Sequence, residues 1–443
     1  MKDLLGVPFR AVQEKINNNF FSYSVVDDGG IPMIEIKRHG EKTLISPEKI
    51  TSLILSKLKE QAETLLNRKV AQAVITVPVY FTSHQRKVTK NAAIMAGFEK
   101  IYLINEATAS VLSYLNSTSM RNNTVKRVMV FHMGQGTFNV SVAKVMNGQV
   151  QVLAAEGDRN LGGSRITAEL VRFFRQDMEN KNIIVNSRNL KRLKKACERL
   201  KCRLSSSIYY YVCMDEFNHR VDYENHLYRP QFERITKHVF DTALNFTKSC
   251  LRSSRTESED IDVVLMTGGS SVIPAARHTL LTNLFSDHQI ERGLRNHCMV
   301  HGAAIYGKYL GSAPAENLFK DVLAIPIGRA TATNRMLHIF EKNTQLPAVV
   351  VKTYSTQEDS QTAMECLLYQ GDDEVASMND LIGVVTLRNL TDARKGDVLV
   401  DFTFSLNEYG MLSVKAIERD TNNSVFLDIE VDNDDEDDGN GED

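Results

Sequence analysis

The sequence predicts an α/β layered domain followed by an antiparallel β-sandwich. In the first part of the chain, short apolar strands alternate with helices that carry recognisable caps, an alternation typical of α/β layers. From about residue 336 the apolar residues recur at every second position, as in half-buried strands. A chain of 443 residues is too long for one core, so two to four compact units are expected.

The first clear helix is predicted over about 47–66. Ser46 is suited to the N-cap, and Pro47 fits the first helical position. Apolar residues then recur at helical spacing and predict a face that packs in the core, namely Ile50, Ile54, Leu58 and Leu65.

Two strand–helix pairs follow this helix. Residues 73–81 read as a buried strand that Pro78 ends, and Ser83 is expected to cap a helix that closes at Gly97. Residues 101–104 predict a second strand, with Asn105 as the cap of the next helix and Glu106 in its first turn.

Residues 127–142 read as two strands joined by a turn that contains Gly134 and Gly136. Such a turn lets backbone N–H groups approach a phosphate because no Cβ stands in the way. A G-x-G alone is more often an ordinary hairpin turn. Similar glycine turns recur at 161–163 and 267–270, and a basic helix at about 190–204 lies between those two.

The composition is typical of a globular protein and argues against a membrane-spanning or disulfide-rich one. The apolar fraction is 42%, no uninterrupted apolar stretch reaches eighteen residues, and the first residues lack a secretory signal pattern. Six cysteines are scattered without C-x-x-C spacing, which predicts free thiols in a reducing compartment. Residues 432–443 hold eight carboxylates, so the net charge of −2 would be +6 without them. We expect this acidic tail to be disordered, with solubility a simpler role than the docking of a basic partner.

Six segments of the C-terminal part are predicted to be strands of the sandwich, with a hairpin turn at 407–410. They are 348–354, 363–369, 381–387, 398–404, 410–416 and 425–431.

Several collinear motifs resemble the heat-shock protein 70 chaperones from residue 1 to about 431. They are Ala73-Val-Ile-Thr-Val-Pro-Val-Tyr-Phe81 with Gln85-Arg86, Ile104-Asn-Glu-Ala-Thr-Ala109, Leu161-Gly-Gly163, Ala196-Cys-Glu-Arg-Leu-Lys-Cys-Arg-Leu-Ser-Ser-Ser207 and Val264-Leu-Met-Thr-Gly-Gly-Ser-Ser-Val-Ile-Pro274. The resemblance implies an actin-like (ribonuclease H-like) nucleotide-binding domain over 1–311, a linker over 312–326 and a peptide-binding β-sandwich over 327–431. The remaining residues, 432–443, form the acidic tail.

The resemblance also assigns site residues. The ATP or ADP site would consist of Gly134, Gln135, Gly136, Thr137, Gly162, Gly163, Glu198, Lys201, Ser205, Gly268, Gly269 and Ser270. Lys2 and Glu106 fall at catalytic positions. Pro78 and Arg86 fall where the family relays nucleotide state to the peptide domain, although a strand stop and a solvated helix charge would also explain them.

Three departures weaken the expected ATPase chemistry. The family's N-terminal phosphate-binding hairpin has no counterpart in the sequence, and Lys2 would lie next to a free terminus, where its position is poorly fixed. His132 and Asn139 replace two aspartates of the family pattern, and Mg²⁺ usually requires one or two carboxylates. Glu106 remains, but it could equally serve as a favourable charge at a helix N-terminus.

Of the residues that bind adenosine in the family, this sequence retains some and lacks others. Glu198, Lys201 and Ser205 match the ribose and adenine contacts, whereas the adenine-stacking arginines are replaced by Cys202 and Val272. Read without the resemblance, the basic helix could be a nucleic-acid patch, although a solvated face is the commoner explanation. We therefore expect weak ATP or ADP binding, little hydrolysis and no resident metal.

The linker and the predicted peptide-binding sandwich also differ from the family pattern. In the linker segment 321–326, Pro326 replaces an aspartate and removes a backbone N–H. Residues 328–333 replace the family's Pro-Leu-Ser-Leu-Gly segment as a shorter connection, and the helical lid is absent, so bound peptide should leave quickly. Alignment places Tyr354, Met364 and Cys366 at the peptide cleft, with core packing as the alternative.

Three functions follow. The first is an active ATP-driven chaperone, the second a non-cycling relative that still presents a peptide-binding surface, and the third a decayed copy that does not fold stably. We favour the second. Its expected partners are unfolded or extended peptides and co-chaperones, without nucleic acid or membrane, in the cytoplasm or nucleus.

Overall fold

The computed structural model describes residues 1–17, 21, 23–38, 41–118, 125–218, 221–291, 297–311, 318–421 and 423–428. The acidic tail and the end of the last predicted strand therefore lie outside the described residues. Two compact units are formed. The first comprises Met1–Asn18, Tyr23–Asn105 and Phe319–Asp443, and the second comprises Asn19–Ser22 and Glu106–Leu318.

The described helices and strands are numbered here in chain order. The helices are α1 Gln13–Asn17, α2 Pro47–Leu66, α3 Ser83–Met95, α4 Glu106–Thr118, α5 Gly163–Asn180, α6 Ser187–Leu204, α7 Arg229–Ser253, α8 Pro274–Asn283 and α9 Cys298–Leu310. The strands are β1 Ser24–Asp28, β2 Ile31–Arg38, β3 Glu41–Ile45, β4 Gln72–Val77, β5 Lys100–Asn105, β6 Lys126–Met133, β7 Phe138–Met146, β8 Gln149–Asp158, β9 Tyr209–Asn218, β10 Val221–Tyr228, β11 Val263–Thr267, β12 Ile290–Glu291, β13 Phe319–Lys320, β14 Ile327–Ala330, β15 Met336–Phe340, β16 Ala348–Ser355, β17 Ala363–Gln370, β18 Asp380–Arg388, β19 Leu399–Leu406, β20 Leu412–Glu418 and β21 Ser424–Asp428.

The second unit is built on a mixed sheet in which the strands follow the order β12-β11-β6-β7-β8. β11 runs parallel to β6, and β6 and β7 form the antiparallel hairpin that the sequence predicts. The sheet is covered by α5, α6 and α7, whose apolar faces join it in one core that includes Phe138, Phe174 and Phe240. This core fixes the strand ends that carry the candidate site.

In the first unit, the N-terminal part holds an antiparallel sheet, β1-β2-β3, and a parallel pair, β4-β5. The capping signals predict α2 correctly, because the Ser46 hydroxyl accepts a hydrogen bond from the Lys49 N–H and Pro47 opens the helix. The expected core face of α2 is wrong. Ile54, Leu58 and Leu65 are 50%, 56% and 86% exposed, since no described segment covers this face. Helical spacing reveals an apolar face, but it does not show whether another segment packs against that face.

The start of α3 also differs from the prediction. Thr82, not Ser83, is the N-cap. The Thr82 hydroxyl accepts from the Gln85 N–H, and the Gln85 side chain accepts from the Thr82 N–H in a reciprocal capping box. Gly97 follows the helix with a φ of +85°, which suits a glycine at a helix end.

The C-terminal part of the first unit contains two four-stranded antiparallel sheets with the orders β15-β14-β17-β18 and β16-β19-β20-β21. Side chains from both sheets, among them Leu368, Val385, Phe402 and Val414, share one apolar core. All six predicted strands are present. Two more, β14 and β15, were missed, and β14 occupies part of the segment 328–333 that the sequence suggested to be a connection. None of the described helices is long and apolar enough to cross a membrane.

Candidate nucleotide site and peptide-binding region

The turn between β6 and β7 begins the candidate site. Its glycine-containing loop closes through a hydrogen bond from the Gly134 N–H to the Thr137 carbonyl, 2.9 Å long. Phe131 and Phe138 pack edge to face beneath it, with ring centroids 4.9 Å apart. The continuous apolar run of β6 and the alternating apolar residues of β7 bury this hairpin and fix the turn at the ends of two central strands.

All three glycine turns of the second unit meet here. The Gly134 carbonyl accepts hydrogen bonds from the Gly163 N–H and the Ser270 hydroxyl, each 2.9 Å long, and the Gln135 carbonyl accepts from the Ser164 N–H. A Cβ at Gly162 would lie 2.6 Å from the Thr137 nitrogen, so only glycine permits this approach.

The third turn is equally tight at one of its two glycines. Gly268 has a φ of +86°, and a Cβ there would lie 2.4 Å from the Met133 carbonyl oxygen. Gly269 next to it is exposed and has open space around it. The fold thus brings together the predicted residues Gly134, Gln135, Gly136, Thr137, Gly162, Gly163, Gly268, Gly269 and Ser270.

Lys201 joins helix α6 to this cluster. Its buried ammonium group donates to the Gly163 carbonyl at 3.0 Å, the Thr167 hydroxyl at 3.2 Å and the Glu198 carboxylate at 2.8 Å. Ser205 lies one turn further along and donates to the Lys201 carbonyl. Glu198 and Lys201 therefore lie on α6 beside the N-terminus of α5, and Ser205 follows as the C-cap of α6.

The replaced stacking positions are both at the surface. Cys202 is exposed on α6, and the Val272 side chain is 59% exposed after the third glycine turn. Neither provides a planar cation for an adenine ring.

Glu106, His132 and Asn139 form a buried polar cluster below the glycine turns. Glu106 begins α4, His132 lies on β6, and Asn139 is directly opposite His132 on β7. The Asn139 side-chain amide donates to Glu106 Oε2 at 3.2 Å, and His132 Nε2 lies 3.9 Å from the same oxygen. The other ring nitrogen, Nδ1, is 3.1 Å from the Thr267 hydroxyl.

These residues do not fit Mg²⁺. The cluster provides one carboxylate, one imidazole and one amide, whereas Mg²⁺ prefers oxygen ligands with one or two carboxylates. Asn139 Oδ1 is buried without a hydrogen-bond partner. Within the described part of the chain, no group of three His, Cys, Asp or Glu side chains could hold a metal ion.

Lys2, the other catalytic candidate, is an exposed residue in a turn of the first unit. Glu106 belongs to the second unit and is buried.

Arg86 is buried, unlike the solvated helix charge that was the alternative explanation. Its guanidinium group donates to the carbonyls of Phe81 and Val79 and to Asn105 Oδ1, with a longer contact of 3.5 Å to the Pro78 carbonyl. Burial lowers the pKa of Arg86 to about 10, against the opposing effect of the nearby Asp321 carboxylate. The side chain is therefore still protonated at neutral pH.

Helix α3 contacts the C-terminal sheets within the first unit. The Ser83 N–H donates to Gln370 Oε1 at 2.9 Å, and the Ser83 hydroxyl donates to the Gly410 carbonyl at 3.1 Å. The ammonium group of Lys90 lies 5.4 Å from the ring centroid of Tyr409. The predicted relay residues are thus close to a direct connection between α3 and the sheets.

The three predicted peptide-binding residues have different environments. Met364 and Cys366 are buried in the core shared by the two sheets, and burial raises the pKa of the Cys366 thiol to about 11. Tyr354 is half-buried, packs edge to face on Phe402, and accepts a hydrogen bond from Arg329 Nε at 3.1 Å. The Arg329 guanidinium also lies over the Tyr354 ring at 4.5 Å.

Sequence reasoning missed Thr267 and Arg329. Thr267 ends β11, which pairs in parallel with β6, so only the sheet register places its hydroxyl beside His132. Arg329 could have been found only after β14 was recognised as a strand.

The chain matches the family model described as Hsp70 protein over residues 1–441. It is 31% identical over 439 residues to a ribosome-associated molecular chaperone of Nakaseomyces delphensis, in an alignment that covers 97% of this chain and 71% of that relative. It is 32% identical to heat shock cognate 70 kDa protein 3 of Dictyostelium discoideum over 95% of this chain and 68% of that relative. For the heat shock 70 kDa protein of Neurospora crassa the identity is 30%, over 95% of this chain and 66% of the relative. The chain thus spans about two thirds of the length of these relatives.

Proposed function

Because the chain belongs to the Hsp70 family, we propose that it is a non-cycling chaperone relative that binds extended peptides and hydrolyses little or no ATP. Its proposed organisation is an actin-like domain over 1–311, a linker over 312–326 and a peptide-binding β-sandwich over 327–431. Peptide binding and ATP hydrolysis are separate parts of this proposal and are tested separately.

The buried cluster of Glu106, His132 and Asn139 carries the ATPase part of the proposal. Phosphoryl transfer depends on divalent cations that neutralise the charge developing on the phosphates. With one carboxylate among the three side chains, the site lacks the ligands that would hold such a cation. The proposed site thus retains the glycine turns of the family but lacks the carboxylates that would hold the cation needed for hydrolysis.

Weak nucleotide binding is supported by the converging glycine turns and Lys201. The turns adopt backbone conformations that a Cβ would prevent, and Lys201, paired with the Glu198 carboxylate, lies beside the N-terminus of α5. Several of the local donors already have protein acceptors, including the N–H groups of Gly163 and Ser164. Binding must compete with these hydrogen bonds, so low affinity is expected.

The two C-terminal sheets support peptide binding. β16 lies at one end of its sheet in the described residues and exposes Val349 and Val351, which suits the addition of an extended segment. The half-buried Tyr354 near the end of this strand is the proposed contact for a peptide side chain. Met364 and Cys366 would then shape the cleft from within the core.

The relatives suggest partners and location. One relative is named a ribosome-associated molecular chaperone, which makes emerging polypeptides a reasonable class of client to test. Co-chaperones of the family are proposed partners, and the proposed location is the cytoplasm or nucleus.

A steady-state ATPase assay tests the first part. We expect turnover near background with ATP and Mg²⁺, while the Dictyostelium heat shock cognate 70 kDa protein 3 serves as the positive control. Turnover equal to that control, together with its loss in Lys2→Ala, would show that the chain is an active ATP-driven chaperone.

Fluorescence anisotropy with a labelled, extended apolar peptide tests the second part. We expect saturable binding that weakens about tenfold in Tyr354→Ala, because a half-buried aromatic contact contributes about 1.4 kcal/mol or more. Tyr211→Ala, which changes an exposed tyrosine of the second unit, is the matched control. No binding by the wild type, in a sample that unfolds cooperatively, would refute peptide binding, and the absence of a cooperative transition would favour a decayed copy.

A further inference from the structure

Each ring nitrogen of His132 has an oxygen atom nearby. Nδ1 lies 3.1 Å from the hydroxyl of Thr267, and Nε2 lies 3.9 Å from Glu106 Oε2. The first distance is that of a hydrogen bond in which either the ring or the hydroxyl can donate, and the second is that of an ion pair when the ring carries a proton on both nitrogens. The residue is 7% exposed, so burial disfavours a charged ring, whereas the nearby Glu106 carboxylate favours one.

The environment of the ring is rich in acceptors. Asn139 directs its amide donor at Glu106 Oε2, 3.2 Å away, which leaves Asn139 Oδ1 as a buried acceptor without a hydrogen-bond partner. A buried acceptor in this state costs about 1–3 kcal/mol. Positive charge on the ring would compensate the charge of Glu106, 3.9 Å away.

The ring also fills the space between two of the glycine turns. A Cβ added to Gly134 would lie 3.2 Å from His132 Nε2, and one added to Gly268 would lie 2.8 Å from His132 Cε1. The edge of the imidazole that carries Nε2 therefore faces the turns near which phosphates are proposed to bind. The groups that face it from the neighbouring strands, Thr267 on β11 and Asn139 on β7, are uncharged, and Glu106 faces it from α4.

We propose that the His132 imidazolium takes the place of the divalent cation and that the site binds nucleoside diphosphate or pyrophosphate free of metal. This inference rests on the proposed nucleotide site but concerns only what balances the ligand's charge. An imidazolium and Mg²⁺ cannot occupy the same small pocket without repulsion, and Glu106 is compensated by either one. The ligand then needs no metal, and its affinity depends on protonation of the ring.

Isothermal titration with ADP, in Mg²⁺ and in EDTA, tests this. We expect equal affinity in the two buffers for the wild type. Affinity in EDTA should be about tenfold lower at about pH 8 than at about pH 6, because a ring that loses its proton no longer offsets the charge of the ligand.

Two substitutions at the same position sharpen the test. His132→Gln keeps a polar side chain without charge and should lose about tenfold in affinity in EDTA at the lower pH. His132→Asp should bind ADP more tightly with Mg²⁺ than with EDTA, because it restores a second carboxylate beside Glu106. Thermal melts of both variants confirm that they are folded.

Nitrogen NMR of the imidazole gives a readout that needs no ligand, with His132→Gln used to assign the signal. Two protonated nitrogens near neutral pH would support the proposal, and a neutral ring would overturn it. Tighter ADP binding by the wild type in Mg²⁺ than in EDTA, or no binding in EDTA at the lower pH, would also overturn it. These results leave the proposed function intact, because peptide binding and ATP turnover are measured independently.

Discussion

Two of the buried polar pockets in the described part of the chain differ in how completely their donors and acceptors are hydrogen-bonded. In the first unit, the guanidinium of Arg86 donates to the carbonyls of Phe81 and Val79 and to Asn105 Oδ1. In the second unit, the cluster of Glu106, His132 and Asn139 leaves one buried acceptor, Asn139 Oδ1, without a hydrogen bond. Both pockets are at least nine-tenths buried, so the difference is not one of exposure.

The difference in hydrogen bonding suggests that the two pockets have different roles, one in stability and the other in chemistry. A buried cation is tolerated only when its donors are satisfied, and the Arg86 pocket meets that requirement. The cluster around His132 lies below the converging glycine turns and contains one carboxylate, that of Glu106. We infer that the pocket around Arg86 contributes to the stability of the first unit, in which α3 contacts the C-terminal sheets.

Removal of the Arg86 charge should have the largest effect. Arg86→Met would leave several buried acceptors and the nearby Asp321 without their cation, so we expect a loss of about 3 kcal/mol in the free energy of unfolding, measured with urea. Arg68→Met, at an exposed position, is the control and should change it by less than about 0.5 kcal/mol. Equal effects of the two substitutions would mean that the Arg86 pocket contributes no special stability.

Asn139→Asp should have an intermediate and pH-dependent effect. A second carboxylate beside Glu106 raises the folded-state pKa of the pair above its unfolded value, so the penalty is present at high pH and is relieved as pH falls. Relative to the wild type, we expect a loss of about 2 kcal/mol at about pH 8 and less at about pH 5. Thermal melts at both pH values measure this, with Asn180→Asp at the exposed end of α5 as control. A penalty that does not change with pH would contradict the closeness of the two carboxylates.

Ser83→Ala should have the smallest effect. It removes the hydrogen bond from the hydroxyl to the Gly410 carbonyl but keeps the backbone N–H that donates to Gln370, so about 1 kcal/mol is expected. Ser206→Ala, on the exposed segment after α6, is the comparison. If both variants unfold at the same urea concentration, this contact does not stabilise the first unit.

Local signals predicted the elements of the fold well where caps and periodicity were strong. The Ser46–Pro47 pair gave the start of α2, and alternating apolar residues gave six C-terminal strands. β14 was missed because Gly328 and Arg329 interrupt its apolar alternation. β15 was missed because its apolar residues do not alternate with polar ones. The exposure of α2 could not be predicted, because the cover of a helix face depends on distant parts of the chain.

The glycine turns of the candidate site could be recognised in the sequence, but the contacts around them could not. The three glycine turns follow from residue type, whereas the approach of Thr267 to His132 depends on the parallel register of β11 and β6. The burial of Arg86 was equally hidden, since its partners are backbone carbonyls, which every residue possesses. The spacing of side chains in the sequence does not show which backbone carbonyls will surround an arginine.

The parallel pair β4-β5 has one further consequence. Within the described residues, the only strand hydrogen-bonded to β4 is β5. In a parallel pair, the amide and carbonyl of one residue point to the neighbour and those of the next residue point away. Deuterium uptake along Gln72–Val77 should therefore alternate residue by residue, slow then fast, and a ligand that adds a strand at the open side would slow the fast set alone.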